Sequence, residues 1–193
     1  MKKHFLLLIT ITILFACKKD ITTHNQNAIL HFSNDTITFD TIFTSIGSIT
    51  KTLTVYNHNE FDIISNVAIK GNSAGYFRMN INGTPGNNQN NIEIPAKDSI
   101  FIFIEVTINP SNNTTPYILT DSLIFTTNTT IQDVDLIAWG QDAYFHTANT
   151  YGDIIDGNDT TRFYYHLLDC STPWTNEKPH VIYGYAIIDP GET

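Results

Sequence analysis

Ser99-Ile100-Phe101-Ile102-Phe103-Ile104-Glu105-Val106-Thr107-Ile108 sets the architecture of the chain. Ile100, Ile102, Ile104, Val106 and Ile108 recur at every second position. That period lines up side chains on one face of a β-strand and would scatter them around a helix. Phe101 and Phe103 occupy the opposite face, so the front half of the run is apolar on both sides. Strands buried on both faces read this way. The expectation is a central strand whose aromatic side is covered by a neighbouring loop or by a following domain.

On either side, the sequence breaks into similar short runs: Ala28–Phe32, Thr36–Phe43, Ile49–Asn57, Ile63–Lys70, Tyr76–Ile81, Asn91–Ile94, Leu119–Thr127 and Ile131–Trp139. Turn-forming residues separate them, at Ser45-Ile46-Gly47-Ser48, Asn57-His58-Asn59, Gly71-Asn72-Ser73 and Asn82-Gly83-Thr84-Pro85-Gly86. Leu53 and Val55 alternate with Thr52 and Thr54. Val134, Leu136 and Ala138 alternate with Asp133 and Asp135. One dry and one wet face is the signature of half-buried antiparallel strands, and the whole reads as an all-β, immunoglobulin-like antiparallel β-sandwich.

The order of short motifs adds a resemblance. Phe43, Gly47, Leu53-Thr54-Val55-Tyr56-Asn57, Ile63–Ile69 and Ile94-Pro95-Ala96-Lys97-Asp98-Ser99 come first. Ile104-Glu105-Val106-Thr107-Ile108-Asn109-Pro110, Phe125-Thr126-Thr127-Asn128 and Leu136-Ile137-Ala138-Trp139-Gly140 follow. Together they resemble the immunoglobulin-like domains of the abnormal-spindle/hydin type over residues 28–146. The resemblance implies a spacer or binding scaffold rather than an enzyme. Asparagine clusters such as Asn87–Asn91 stand where that family has glycine-rich turns, and asparagine also tolerates positive φ.

From Thr147 the texture changes. Tyr151–Thr161 reads as a Gly/Asp/Asn loop, Phe163–Leu168 as a short apolar run, and Ser171–Asn176 as a connector. Val181-Ile182-Tyr183-Gly184-Tyr185-Ala186-Ile187-Ile188-Asp189-Pro190-Gly191 resembles the first rung of a right-handed parallel β-helix in a family of Gram-negative surface lipoproteins, in which an immunoglobulin-like domain precedes the helix. One rung cannot bury its own face, since solenoids need about three or more repeats. The expectation is therefore that residue 193 is not a natural end; the alternative is a C-terminal hairpin packed on the sandwich. Tyr144, Phe145, Tyr164, Tyr165 and Trp174 are the aromatics expected at the junction.

At the other end, Lys2, Lys3 and His4 precede an apolar run from Phe5 to Ala16, too short to span a bilayer but suited to a signal peptide. Leu14-Phe15-Ala16-Cys17 resembles the lipobox of bacterial lipoproteins, which implies cleavage before Cys17 and acylation of its thiol. Each buried methylene contributes roughly 0.8 kcal/mol, so two or three chains give an effectively permanent anchor. Lys18, in place of an inner-membrane retention aspartate, points to the outer membrane. Lys18-Lys19-Asp20 loosely resembles a surface-export signal. The predicted organisation is a leader (1–16), a lipidated tether (17–27), the sandwich (28–146), a connector (147–179) and the start of a β-helix (180–193).

Chemistry is sparse. Loss of Lys2 and Lys3 with the leader takes the net charge from −9 to −11. No stretch concentrates Lys or Arg, which argues against nucleic acid. With Cys17 acylated, Cys170 is left without a disulfide partner, and no cysteine-based zinc site has its ligands. His24, His31, His58, His146, His166 and His180 show no metal-ligand spacing and read as scattered surface or turn residues. Asp153, Asp156, Asn158 and Asp159 crowd one loop around Gly157, but miss the EF-hand pattern and read as a solvated acidic loop. The triplets beginning at Asp35, Asp40, Asp98, Asp121 and Asp159 resemble O-glycosylation acceptors of some Gram-negative periplasmic systems. They nominate Thr36, Thr41, Ser99, Ser122 and Thr160. The expected function is a non-enzymatic surface module without cofactor, held to the membrane through Cys17 and meeting a glycan or protein ligand. The alternative is the inert front part of a polysaccharide-acting β-helix enzyme.

Overall fold

The computed structural model describes residues 28–71, 75–110, 117–171 and 173–191. The leader, the tether with Cys17 and Lys18, and His24 lie outside the described residues, as do Asn72 and Ser73. In chain order the first ten strands are β1 (His31–Phe32), β2 (Thr36–Phe43), β3 (Lys51–Tyr56), β4 (Ile63–Ile69), β5 (Phe77–Ile81), β6 (Thr84–Pro85), β7 (Asn88–Ile94), β8 (Ser99–Val106), β9 (Tyr117–Thr127) and β10 (Thr130–Gln141). They form two five-stranded sheets, ordered β1-β3-β8-β5-β6 and β2-β10-β9-β4-β7, whose inner faces make one core. This is the immunoglobulin-like β-sandwich that the alternation predicts.

The run beginning at Ser99 supplies the middle strand of its sheet. Ile102 and Ile104 of β8 are fully buried; Ile102 lies opposite Leu53 of β3 and Ile81 of β5, and Ile104 opposite Met79 of β5. No neighbouring loop among the described residues closes over its aromatic face: Phe101 is 52% and Phe103 43% exposed. An antiparallel sheet needs only one dry face, and β8 follows that rule despite its composition.

Two further expectations change. The Asn87–Asn91 cluster does not make a turn. It lies mostly within β7, where Asn91 takes φ 56° opposite a register shift between Ser65 and Val67, and its amide donates to Asn66 Oδ1 at 3.0 Å. Asparagine thus builds a β-bulge here. The sandwich also contains one parallel pair, because β2 lies along β10 in register Asp135↔Thr36 to Gln141↔Phe43. The sandwich's first long strand and its last lie side by side and run the same way.

That pairing fixes where the chain comes in and goes out. Ala28 and Leu30 are buried beside the start of β10, where the Gln132 amide clamps Leu30 by accepting from its N–H and donating to its carbonyl, both at 2.9 Å. β10 then runs the length of the sandwich and ends beside Phe43 and Thr44, whose amide donates to Gln141 O at 3.0 Å. At this far pole Gly140 takes the close approach of Tyr117, whose ring would lie 2.8 Å from a Cβ placed there.

Candidate functional site

Beyond the sandwich come β11 (Tyr144–His146), β12 (Thr150–Asp156), β13 (Asp159–Leu167), β14 (His180–Ile182) and β15 (Tyr185–Ile187). β12 and β13 form a hairpin, closed at Gly157 (φ 61°) between Asp156 and Asp159. The predicted loop over Tyr151–Thr161 is therefore corrected to paired strands. It reads as loop because Asp and Gly are poor strand formers. What holds it is cross-strand pairing: Asp153 takes two bonds from Arg162, at 2.8 and 3.0 Å, and the guanidinium lies 4.0 Å over the Tyr151 ring. The guanidinium bonds hold the Asp153 carboxyl below the usual carboxylate range.

The remaining pairings are parallel. β14 lies on β11 in register Tyr144↔His180, and β15 lies on β13 in register Tyr165↔Tyr185. Side chains at matched parallel positions share a face, and alternate residues face opposite ways. Phe145 turns to the sandwich, its ring 6.2 Å from Phe43 in an edge-on contact. Tyr144, His146 and His180 turn the other way. Of the five aromatics expected at the junction, Phe145 makes that contact. Tyr164 lies by Tyr151 and Tyr165 by Phe163, within the hairpin. Asp142, buried just after β10, meets Lys178 Nζ at 3.4 Å and ties the segment before β14 to the same pole.

Tyr144, His146 and His180 line a cavity of about 430 Å³, closed by His166 of β13 and by Trp174, Asp169 and Glu177 of the connector. His180 Nε2 donates to Thr175 O at 3.1 Å, which leaves its Nδ1 to accept from His146 Nε2 at 2.9 Å. His166 Nδ1 donates to Thr147 O. The His146 and His180 rings lie within 12° of one plane, and Trp174 stacks over both, at 4.5 and 4.1 Å. Three histidines read as scattered are thus one cluster, and that expectation is overturned. No local spacing announces it. The strand pairing across the connector assembles it, and the only sequence signal is that the aromatic and histidine residues after Ala143 concentrate on parallel rungs. Among the described residues no group of three or more His, Cys, Asp or Glu is arranged to hold a metal ion.

Burial, and then the nearby His166 and His180, hold the His146 imidazole below its ordinary pKa of 6.5. A lowered folded-state value means that the unfolded chain binds protons more readily. Stability from this group is present above about pH 6.5 and is lost as pH falls through the folded-state value. Acidification from about pH 7 to 5 should therefore lower the amide protection factors in β11 and β14, taken relative to the slower intrinsic exchange in acid, and His146→Gln should flatten that dependence. Equal pH dependence in both proteins would count against it.

The other nominated residues lie elsewhere. Thr36 and Thr41 are exposed on β2, Thr160 is exposed beside the hairpin turn, and Ser99 and Ser122 are half-buried on β8 and β9. In three of the triplets the aspartate caps the next amide, at Ser99 (2.7 Å), Ser122 (2.8 Å) and Thr160 (2.9 Å). Asp153 and Asp159 are engaged by Arg162 and by the Thr160 amide. Cys170 is half-buried and forms no disulfide among the described residues. His31 and His58 stack 4.6 Å apart at the pole where the chain comes in.

No family model matches the chain, and no curated protein does. Among solved structures it is similar to the seventh PapD-like domain of human CEP192, at 13% identity and a TM-score of 0.40, over 66% of this chain and 94% of that domain. It is similar to a Porphyromonas gingivalis protein of unknown function, at 14% and 0.41, over 62% of this chain and 54% of that one. It is also similar to the Escherichia coli chaperone DraB, at 10% and 0.38, over 57% and 54%. The chain spans about half the length of the latter two. At such identities the similarity concerns the fold alone.

Proposed function

We propose that this chain is a Gram-negative lipoprotein, acylated at Cys17 and held on the outer membrane or cell surface. In this reading it acts without catalysis, as a spacer that carries a binding unit away from the lipid. Its sandwich would belong with the abnormal-spindle/hydin-type immunoglobulin-like domains. The observation that carries the reading is the position of the two poles. Ala28 and Leu30 lie beside the start of β10 and the C-terminal strands follow its end, so the first described residues and the C-terminal unit sit at opposite ends of the sandwich. The eight residues of β2 alone, at about 3.3 Å each, separate them by roughly 25 Å. A module whose termini lay together would add no reach.

The parallel pairs β11–β14 and β13–β15 support a β-helix start for the C-terminal unit. Among the described residues β14 and β15 each have one free edge, the geometry on which a solenoid adds its next rung.

Metabolic palmitate labelling tests the anchor. The wild-type chain should take label and leave the membrane fraction only with detergent. Cys17→Ser should take none and keep its leader, migrating as the larger precursor. Protease treatment of intact cells should then cleave the wild-type chain from outside. A Cys17→Ser chain that is labelled and processed normally would refute the lipoprotein reading.

A further inference from the structure

We propose that the cavity bounded by Trp174, Glu177 and Asp169 binds an uncharged saccharide ring stacked on the indole. This rests on reading the chain as a binding module and names the ligand class. The His146–His180 pair is one hydrogen-bonded, nearly coplanar layer, and Trp174 lies 4.1–4.5 Å above it and within 15° of both rings. Two rings in one plane that both touch the indole cover the same face of it. Trp174 is nevertheless 45% exposed. The imidazole layer therefore works as a backing that fixes the indole plane, and the indole also lines the cavity. A flat, pre-set aromatic surface offers a partly negative face to partly positive C–H bonds, and the axial hydrogens of a pyranose supply those.

Charge selects among ligands. Asp169 and Glu177 line the cavity, in a chain of net charge −9, and disfavour an anion. A quaternary ammonium is held by an aromatic cage, whose other wall here would be Tyr144. The Lys178 ammonium already lies 5.9 Å over that ring and repels a second cation there. A purely apolar ligand would take water from the two carboxylates and offer no hydrogen bond in return. A neutral ring with hydroxyls at its rim suits all three constraints: its apolar face meets Trp174, and its hydroxyls donate to Asp169 and Glu177. The cavity volume of about 430 Å³ falls in the range of small-molecule sites.

Isothermal titration of the full chain in detergent tests this, with cellotriose, maltotriose, xylotriose and N-acetylglucosamine trimer as probes. Tetramethylammonium and galacturonate trimer serve as charged comparisons. At least one neutral trisaccharide should bind saturably. Trp174→Ala should weaken it about tenfold or more, and Trp174→Phe by a few-fold. Glu177→Gln, an exposed change that leaves the ring stack intact, should weaken it roughly three- to tenfold. Silence towards all four neutral probes overturns the proposal. So does binding of either charged probe that Trp174→Ala weakens in their place. Neither result touches the anchoring reading, which palmitate labelling decides independently.

Discussion

Phe125→Ala should destabilise the sandwich by about 3–5 kcal/mol, the range for deleting a buried phenylalanine side chain. Phe125 sits on β9, the middle strand of its sheet, paired with Gln132 of β10 and with Val67 of β4. It is 1% exposed, and its ring lies 4.8 Å from that of Phe32, which comes from β1 of the opposing sheet. The side chain therefore joins the two sheets, and β9 has neighbours on both sides that limit how far the void can close. For a domain of this size each kcal/mol lowers Tm by about 2–4 °C, so the melting point should fall by roughly 6–20 °C. Total stability is commonly about 5–15 kcal/mol, and the loss removes a large part of it. Ile131→Ala, on the same sheet but 69% exposed at its turn end, should stay within about 0.5 kcal/mol. Urea unfolding of both proteins is the measurement, and a Phe125→Ala loss below about 1 kcal/mol would show that the sheets do not meet through this ring. The functional consequence is indirect. The C-terminal unit stands on the far pole, and partial unfolding of the sandwich would leave it without a fixed base.

What the sequence disclosed and what it hid divide along one physical line. The alternation in β3, β8 and β10 is local, because successive side chains point to opposite faces. Leu53, Val55, Ile102, Ile104, Val134, Leu136 and Ala138 are correspondingly all fully buried. Composition misled where pairing overrides it. Phe101 and Phe103 are apolar yet face outward, and the Asp- and Gly-rich stretch around Gly157 forms a hairpin because its two arms bind each other. Relations between distant segments were beyond reach. Nothing near Thr36 announces that it lies beside Asp135, and nothing near His146 announces His180. The candidate site belongs wholly to this second class. Its cluster depends on β11 and β14 meeting in parallel, and on a connector that carries Trp174 back over them. The spacer geometry depends likewise on the β2–β10 pair. Predicting the sandwich required only periodicity, whereas predicting the site required the topology.

Asn57 brings the two kinds of information together, and its replacement should produce the second large effect. The sequence places it in a turn with His58 and Asn59, yet it is 0% exposed. Its Nδ2 donates to Phe61 O at 2.8 Å and to Ile94 O at 2.9 Å, while its Oδ1 accepts from the Asn59 amide at 2.9 Å and from Asn59 Nδ2 at 3.0 Å. Asn59 Nδ2 also reaches Ile29 O at 3.2 Å. One amide therefore links the end of β3 in one sheet to the end of β7 in the other, at the pole where the chain comes in. Asn57→Ala strands two buried carbonyls, at a cost of about 1–3 kcal/mol for each unsatisfied group, and a net loss of about 2–4 kcal/mol is expected after local relaxation. Asn57→Asp separates this account from a simple packing defect. The aspartate has nearly the same shape but would set a carboxylate against the same two carbonyl oxygens, so burial and repulsion must raise its folded-state pKa above the unfolded value of about 3.9. A raised carboxyl pKa contributes stability that is present below about pH 4 and lost as pH climbs through the folded-state value. Chemical denaturation of Asn57→Asp should therefore show a progressive loss between about pH 4 and 8, measured against the wild type at each pH, while Asn57→Ala shows a constant deficit. Parallel pH curves for the two variants would mean that the Nδ2 bonds to Phe61 and Ile94 do not hold this end of the sandwich closed.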